Sequence, residues 1–465
     1  MISIQIPQTY ENERRYIITV LLCEFLGLDI DIQVSSRENV SIAYEDRELL
    51  IADGLFRTPL ANWLQPDSLP QQPLQVWNIA KTKLSATTVN PEIPVIYGDR
   101  PDDPQFFNFS SDRIYLGLDI FGSAFFMLTR YEEIVKLDRD AHYDWFLGTS
   151  SLAHLAGFLD RPIINEYLEI LWACLQTLHP RLERQHRNFQ IYVSHDVDEP
   201  FRYALSGFAR LLRRCGGDLV NRHSPAAVVQ SISQWIQVKT GNISADPCNT
   251  FDRLMDISER HHLKSAFYFI TDHTGGAIDG NYRIDSPLIR DLLRKIHHRG
   301  HEIGLHPSYH TYKDAAQTKK EFEILKKVCA QAGIEQDSWG GRQHYLRWEN
   351  PTTFQNWEDA GLDYDSTLAF SDLVGFRCGI CYEFPVYNLK TRQVLKLRER
   401  PLIVMECTVI EKMFMNLGLG ESAMQVMAQS KQRCQLFQGN WTLLWHNNRS
   451  IDRHEVAVYE QLISC

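Results

Sequence analysis

The chain of 465 residues contains no long apolar run, no surplus of positive charge, no internal repeat and no low-complexity tract. Its most apolar early stretch, "YIITVLLCEFLGL" (16–28), falls short of the ~20 residues a bilayer requires and is interrupted by Glu24. An integral membrane segment is therefore not expected. Glu and Arg come before any apolar stretch at the start, which predicts no secretory leader. Lys+Arg number 48 against 58 Asp+Glu, a formal net charge of −10, and this excludes the basic footprint of a nucleic-acid binder. The short basic runs "RLERQHR" (181–187) and "LKLRER" (395–400) read as solvated faces. Ten cysteines share no repeated spacing, so no disulfide framework is predicted; most read as reduced core residues in a cytoplasmic protein.

The length allows two or three domains. Residues 1–185 mix strand-like alternation, as in "SIAYEDRELLIAD" (41–53), with apolar helices such as "RPIINEYLEILWACLQTL" (161–178). They read as a smaller mixed α/β domain of unknown role, closed by the polar linker "HPRLERQHRN" (179–188). Across 186–465, short apolar strands alternate with helices: "FQIYVSHD", "LKSAFYFITD", "HEIGLH", "LDYDST", "LIVMECT" and "WTLLWHNN". Such alternation predicts a parallel sheet, open or closed into a barrel, with active groups at the carboxyl ends of its strands.

The polar residues of this half stand at strand ends. "IYVSHDVDEP" (191–200) ends an apolar run with His195, Asp196, Asp198 and Glu199, a crowding of acids that a cation or a guanidinium would relieve. His306 and His310, four apart, would share one face of a helical turn and supply two nitrogens to a metal. Asp196 and Asp198 are both candidates for a third, carboxylate ligand. Two imidazoles and a carboxylate leave coordination positions open for water and substrate. Each fragment alone is commoner as packing or turn chemistry; their convergence in one half of the chain favours a site.

Residues 189–448 resemble the polysaccharide deacetylase family, carbohydrate esterase family four. S-H-D-V-D resembles its T-F-D-D-G, and His306-Pro-Ser-Tyr-His310 its H-[ST]-x-x-H. "GHEIGLH" is similar to G-H-E-I-G-N-H, Arg342-Gln-His-Tyr345 to R-x-P-Y, and Leu443-Leu-Trp-His446 to L-x-L-H. The resemblance implies a distorted (β/α) barrel. It implies Asp198, His306 and His310 as ligands of one divalent ion, zinc first, with cobalt, nickel or iron admitted by the same donors. It also implies Asp196 as general base, Arg342 as its partner and His446 as general acid. Asp365, or Asp363, is the expected carboxylate on His446, and Tyr345 a sugar-stacking residue.

The spaced Asp-Val-Asp and the Gln343-His344 in place of x-Pro depart from the family pattern and leave the substrate open. The expected reaction is hydrolysis of a C–N amide bond, removing N-acetyl groups from an amino sugar or a cell-envelope glycan precursor. The alternatives are an amidase of the same fold acting on a small cyclic amide or ureide, and a catalytically inert scaffold. Cys378-Gly-Ile-Cys381 reads as neighbouring core cysteines, and Trp339, Trp348 and Trp357 as core aromatics.

Overall fold

The computed structural model describes residues 1–220 and 223–464; Cys465, one of the ten cysteines, lies outside them. The N-terminal half is built on a six-stranded mixed sheet. Its spatial order is Ile30–Ser35, Ile2–Pro7, Val40–Tyr44, Arg47–Ile51, Arg113–Leu116 and Phe107–Phe109. Ile2, Ile4 and Ile6 are buried, the period-two signature of a strand with one face in the core. "SIAYEDRELLIAD" forms the antiparallel pair Val40–Tyr44 and Arg47–Ile51. The helix Ile163–Leu178 packs across Arg47–Ile51 and Arg113–Leu116, and nearly all of it is buried. "YIITVLLCEFLGL" is helical in two parts, an α-helix Glu11–Ile18 running into a wider π-helical stretch Thr19–Phe25.

The second half forms a nine-stranded sheet. Its order is Phe384–Asn388, Gln393–Glu399, Tyr364–Asp365, Gly340–Gly341, Glu302–Leu305, Ser265–Phe269, Gln190–Val197, Asn440–Leu444 and Val404–Met405. All neighbours are parallel except Phe384–Asn388, which pairs antiparallel with Gln393–Glu399. The fold is α/β as expected, but the strands do not close into the expected distorted (β/α) barrel and form an open ladder. One extended segment, 393–405, supplies a strand to each side of the gap. Arg400 N–H donates to Asp365 O, whereas Ile403 N–H donates to Thr442 O on the opposite side. Between them the chain switches partners, and Pro401 has no N–H with which to continue a ladder.

Helix and strand alternation follows the sequence closely, with helices Phe251–Arg260, Pro287–His298, Ala315–Gln331 and Thr352–Ala360. "LKLRER" departs from expectation. It lies in the strand Gln393–Glu399, with Leu395 and Leu397 buried and Arg398 and Arg400 paired to Glu383. The nine described cysteines are free thiols; Cys378 and Cys381 are buried, as expected of core cysteines.

The two halves pack tightly. Tyr16 Oη donates to Pro385 O at 2.7 Å, and Glu13 binds Arg392 at 2.6 Å and Tyr387 at 2.9 Å. Glu133 takes Arg377 at 2.6 Å and Arg130 at 2.8 Å, with all three side chains buried. Burial acts to raise the Glu133 carboxyl, but the two guanidinium groups prevail and bring it down to about 2.

Candidate active site

Register alone assembles the site. Val197 pairs with Phe269, Phe269 with Leu305, and Leu305 with Gly341, while Leu444 pairs with Ser194. The carboxyl ends of these strands therefore share one rim, carrying Asp196, Asp198, His306, Arg342 and His446. Two glycines permit the approach. A Cβ on Gly341 would lie 1.8 Å from Leu305 O, and one on Gly280, at φ +78°, would lie 2.4 Å from Asp198 O.

The structure brings Asp198, His306 and His344 together, with one donor atom from each inside a 4.8 Å group. Asp198 Oδ1 is 3.4 Å from His306 Nε2 and 3.6 Å from His344 Nε2. His306 Nδ1–H donates to Arg342 O at 2.6 Å, and His344 Nδ1–H to Asp279 Oδ1 at 2.8 Å. Both Nε2 lone pairs are thereby left to face Asp198. This is how outer partners fix the tautomer of a metal-ligating histidine. Asp198 Oδ1 is buried without a hydrogen-bond partner, which is costly unless a cation answers it. The donors present thus fit one divalent ion. Burial acts to raise the Asp198 carboxyl, but His306, His344 and His446 outweigh it and hold it well below the ordinary carboxylate range.

His310, expected as the second imidazole ligand, is not in this group; His344 takes the position. Residues 306–308 are non-helical, so the four-residue spacing does not align the two rings. The His310 side chain is exposed, its backbone N–H donates to Thr274 Oγ1, and its ring meets the edge of Tyr309. His344 was visible in the sequence as a histidine where the family pattern has proline. Asp279, buried and also accepting from the N–H groups of Gly275 and Tyr309, gave no motif signal.

Asp196 sits beside the group, with Oδ2 3.7 Å from His306 Nε2 and Oδ1 2.8 Å from Arg342 Nη1. Arg342 is fully buried and is fixed by Ser366 O, Ser366 Oγ and Ser194 Oγ. Asp196 and Arg342 are therefore paired as expected. On the other side, His446 Nε2 is 3.7 Å from Asp198 Oδ2, and its Nδ1 lies 2.6 Å from Glu406 Oε1. Burial would lower the His446 imidazole, but Glu406 and then Cys407 raise it well above its ordinary value.

The carboxylate on His446 is therefore Glu406, not Asp365. Asp365 is buried, accepts from Thr367 Oγ1 and belongs electrostatically with Glu399 and Arg342. Burial lifts it to about 7, against the pull of the Thr367 hydroxyl and the Arg342 guanidinium. Asp363 instead caps the backbone N–H of Trp339 at 2.7 Å. Glu406 closes the strand Val404–Met405, which pairs with the strand leading to His446. His195 is buried, with Nδ1 donating to Trp445 O at 2.6 Å; burial lowers it to about 4, so it is a neutral packing histidine. Glu199 pairs with Arg210 at 2.9 Å.

These groups open into a cavity of ≈ 260 Å³. Its polar end holds Asp196, Asp198, His306, His344 and His446. Tyr345 also lines it, 38% exposed and directly after His344. Trp348 and Trp357 are core residues, and Trp339 packs on Phe322.

Residues 2–180 match the family of unknown function DUF7033, and residues 244–359 match the polysaccharide deacetylase family. No curated protein matches the chain. Among solved structures, a proposed polysaccharide deacetylase from Mycobacterium smegmatis is similar at 15% identity and TM-score 0.37, over 60% of this chain and 84% of the other. The PuuE allantoinase is similar at 11% and 0.36, over 60% and 83%. A xylanase esterase-family-four domain from the hindgut metagenome of Trinervitermes trinervoides gives 12% and 0.29, over 60% and 82%. The chain carries a segment that matches DUF7033 followed by one that matches the polysaccharide deacetylases, and with a triad that could hold a cation at the strand ends of its second half the protein is a hydrolase.

Proposed function

We propose that the protein hydrolyses C–N amide bonds in a metal-dependent reaction, removing N-acetyl groups from an amino sugar or a cell-envelope glycan precursor. In this reading residues 1–185 and 186–465 are the two units. The observation that carries the reading is the unpartnered Asp198 Oδ1 between two oriented Nε2 atoms, with a base pair on one side and an acid pair on the other. A divalent cation held there, zinc by preference, supplies Lewis-acid polarisation of the carbonyl and lowers the pKa of water from about 15.7 to about 7. Asp196, aligned by Arg342, takes the proton of the attacking water. His446, held by Glu406 through Nδ1, delivers a proton from Nε2 to the leaving nitrogen. Each transfer is typically worth about 10²–10⁴-fold.

The test is acetate release from N-acetylated amino sugars by zinc-loaded protein, with His446→Ala alongside. Ring opening of an allantoin-like ureide without acetate release would move the assignment to the cyclic-amide reading. A chain that binds no metal would reduce it to a scaffold.

A further inference from the structure

Two rings in the cavity wall do not come from the deacetylase half. Tyr143 and Trp145 fall inside the stretch that matches DUF7033. They extend a series of ring contacts that begins at the ligands themselves. His306 meets His344 at 4.8 Å, His344 meets Tyr345 at 4.7 Å, and Tyr345 stacks on Tyr143 at 5.4 Å and 14°. Tyr143 stacks on Trp145 at 4.2 Å and 21°, and Trp145 reaches Phe414 at 5.9 Å.

The wall is held in place before any ligand arrives. Asp140 closes its own loop, with its N–H donating to Trp145 O and its carboxylate accepting from the N–H groups of His142 and Tyr143. Trp145 Nε1 donates to Tyr345 O at 2.6 Å, and Arg347 Nε to Tyr143 O at 3.0 Å. Tyr312 Oη donates to Asp144 at 2.6 Å. Tyr345 and Leu346 are both in the left-handed region, at φ +58° and +52°. Such strain costs on the order of 1–3 kcal/mol per residue and persists only where surrounding contacts over-determine it. Trp145 is one of those contacts.

We infer that the DUF7033 domain completes the substrate site, and that Tyr143 and Trp145 form a subsite for an apolar group attached to the scissile amide. Beyond Tyr345 and the carboxylates and imidazoles already named, the cavity is lined by Tyr143, Trp145, Leu346, Met405, Met413 and Phe414 together with Ser371, Cys407 and Glu411, a mostly apolar and aromatic surface suited to a flat ring or a hydrocarbon chain. This rests on the hydrolase reading above and departs from it at one point: the preferred acyl group is larger and less polar than acetyl.

The test is binding of hydroxamates to the zinc-loaded full-length chain by calorimetry. Benzohydroxamate and hexanohydroxamate are compared with acetohydroxamate, the aryl and alkyl probes separating a ring from a chain. Wild type should bind at least one larger probe about tenfold tighter, the increment from roughly 55 Å² of added apolar area removed from water. In Trp145→Ala and Tyr143→Ala that preference should collapse while acetohydroxamate binding holds, and Trp145→Phe should restore most of it. Absence of preference in wild type, or its survival in both alanine variants, overturns the inference. Zinc content of the same samples separates this from failure of the hydrolase reading. A chain without zinc sinks that reading, and benzamide against acetamide, which need no cation, then decides the wall.

Discussion

Replacing His344 with alanine, beside the same change at His310, tests which imidazoles hold the cation. His344 is buried, its Nδ1 is committed to Asp279, and its Nε2 lies 3.6 Å from an unpartnered carboxylate oxygen. Structural zinc sites with four protein ligands bind with about 10–16 kcal/mol at neutral pH, so one ligand carries roughly 3–4 kcal/mol. At 1.4 kcal/mol per tenfold, His344→Ala should weaken zinc by about 10²–10³-fold. His310 is exposed and outside the donor group, so His310→Ala should change zinc affinity by less than about twofold, the range of an ordinary surface substitution. Competition against a chromophoric chelator measures both, with circular dichroism checking the fold. A loss at His310 equal to or greater than that at His344 would refute the argument from Nε2 orientation.

Glu406→Gln should lower kcat by about 10²-fold and leave zinc affinity within a few-fold, because it unseats His446 without touching the triad. Asp365→Asn should leave the rate nearly intact and change stability against pH instead. The Asp365 carboxyl, lifted to about 7 by burial, binds a proton in the folded chain that the unfolded chain gives up near pH 4. Asp365 and Glu399 share one buried site, so wild-type stability should fall as pH rises from about 4 towards 7, and the asparagine variant, which keeps the raised Glu399, should lessen that slope in urea melts. Glu133→Gln should destabilise the protein by about 3–5 kcal/mol, since it leaves Arg130 and Arg377 buried with one carboxylate fewer between the two halves. The Glu133 contribution is present above pH 4.5 and is lost as pH falls towards 2, the opposite sign to Asp365.

Much of the catalytic half was legible because its strands are short apolar runs that end in polar residues. Asp196, Asp198, His306, Arg342 and His446 all stand at such ends, and parallel register brings them to one rim. The reading of His310 failed because it assumed a helical turn where the chain stays irregular after Leu305. Glu406 was in view as a strand end, but its pairing with His446 spans 40 positions and depends on which strands become neighbours. The strand Gln393–Glu399 was masked by its charges, since only alternate residues face the core. The break in the ladder falls where 393–405 changes partner, from Asp365 to Thr442, a choice of neighbours that no local sequence signal carries. Tyr143 and Trp145 lie in a loop with no periodicity, and only the docking of the two halves brings them to the cavity.

Arg342 makes two contacts in the site through chemically distinct atoms. Its main-chain carbonyl orients His306, and its guanidinium holds Asp196. A change of side chain therefore reaches the carboxylate while sparing the imidazole's aim. Under the proposed reaction, that separation gives selection or an engineer a dial for turnover that leaves the cation-facing histidine alone.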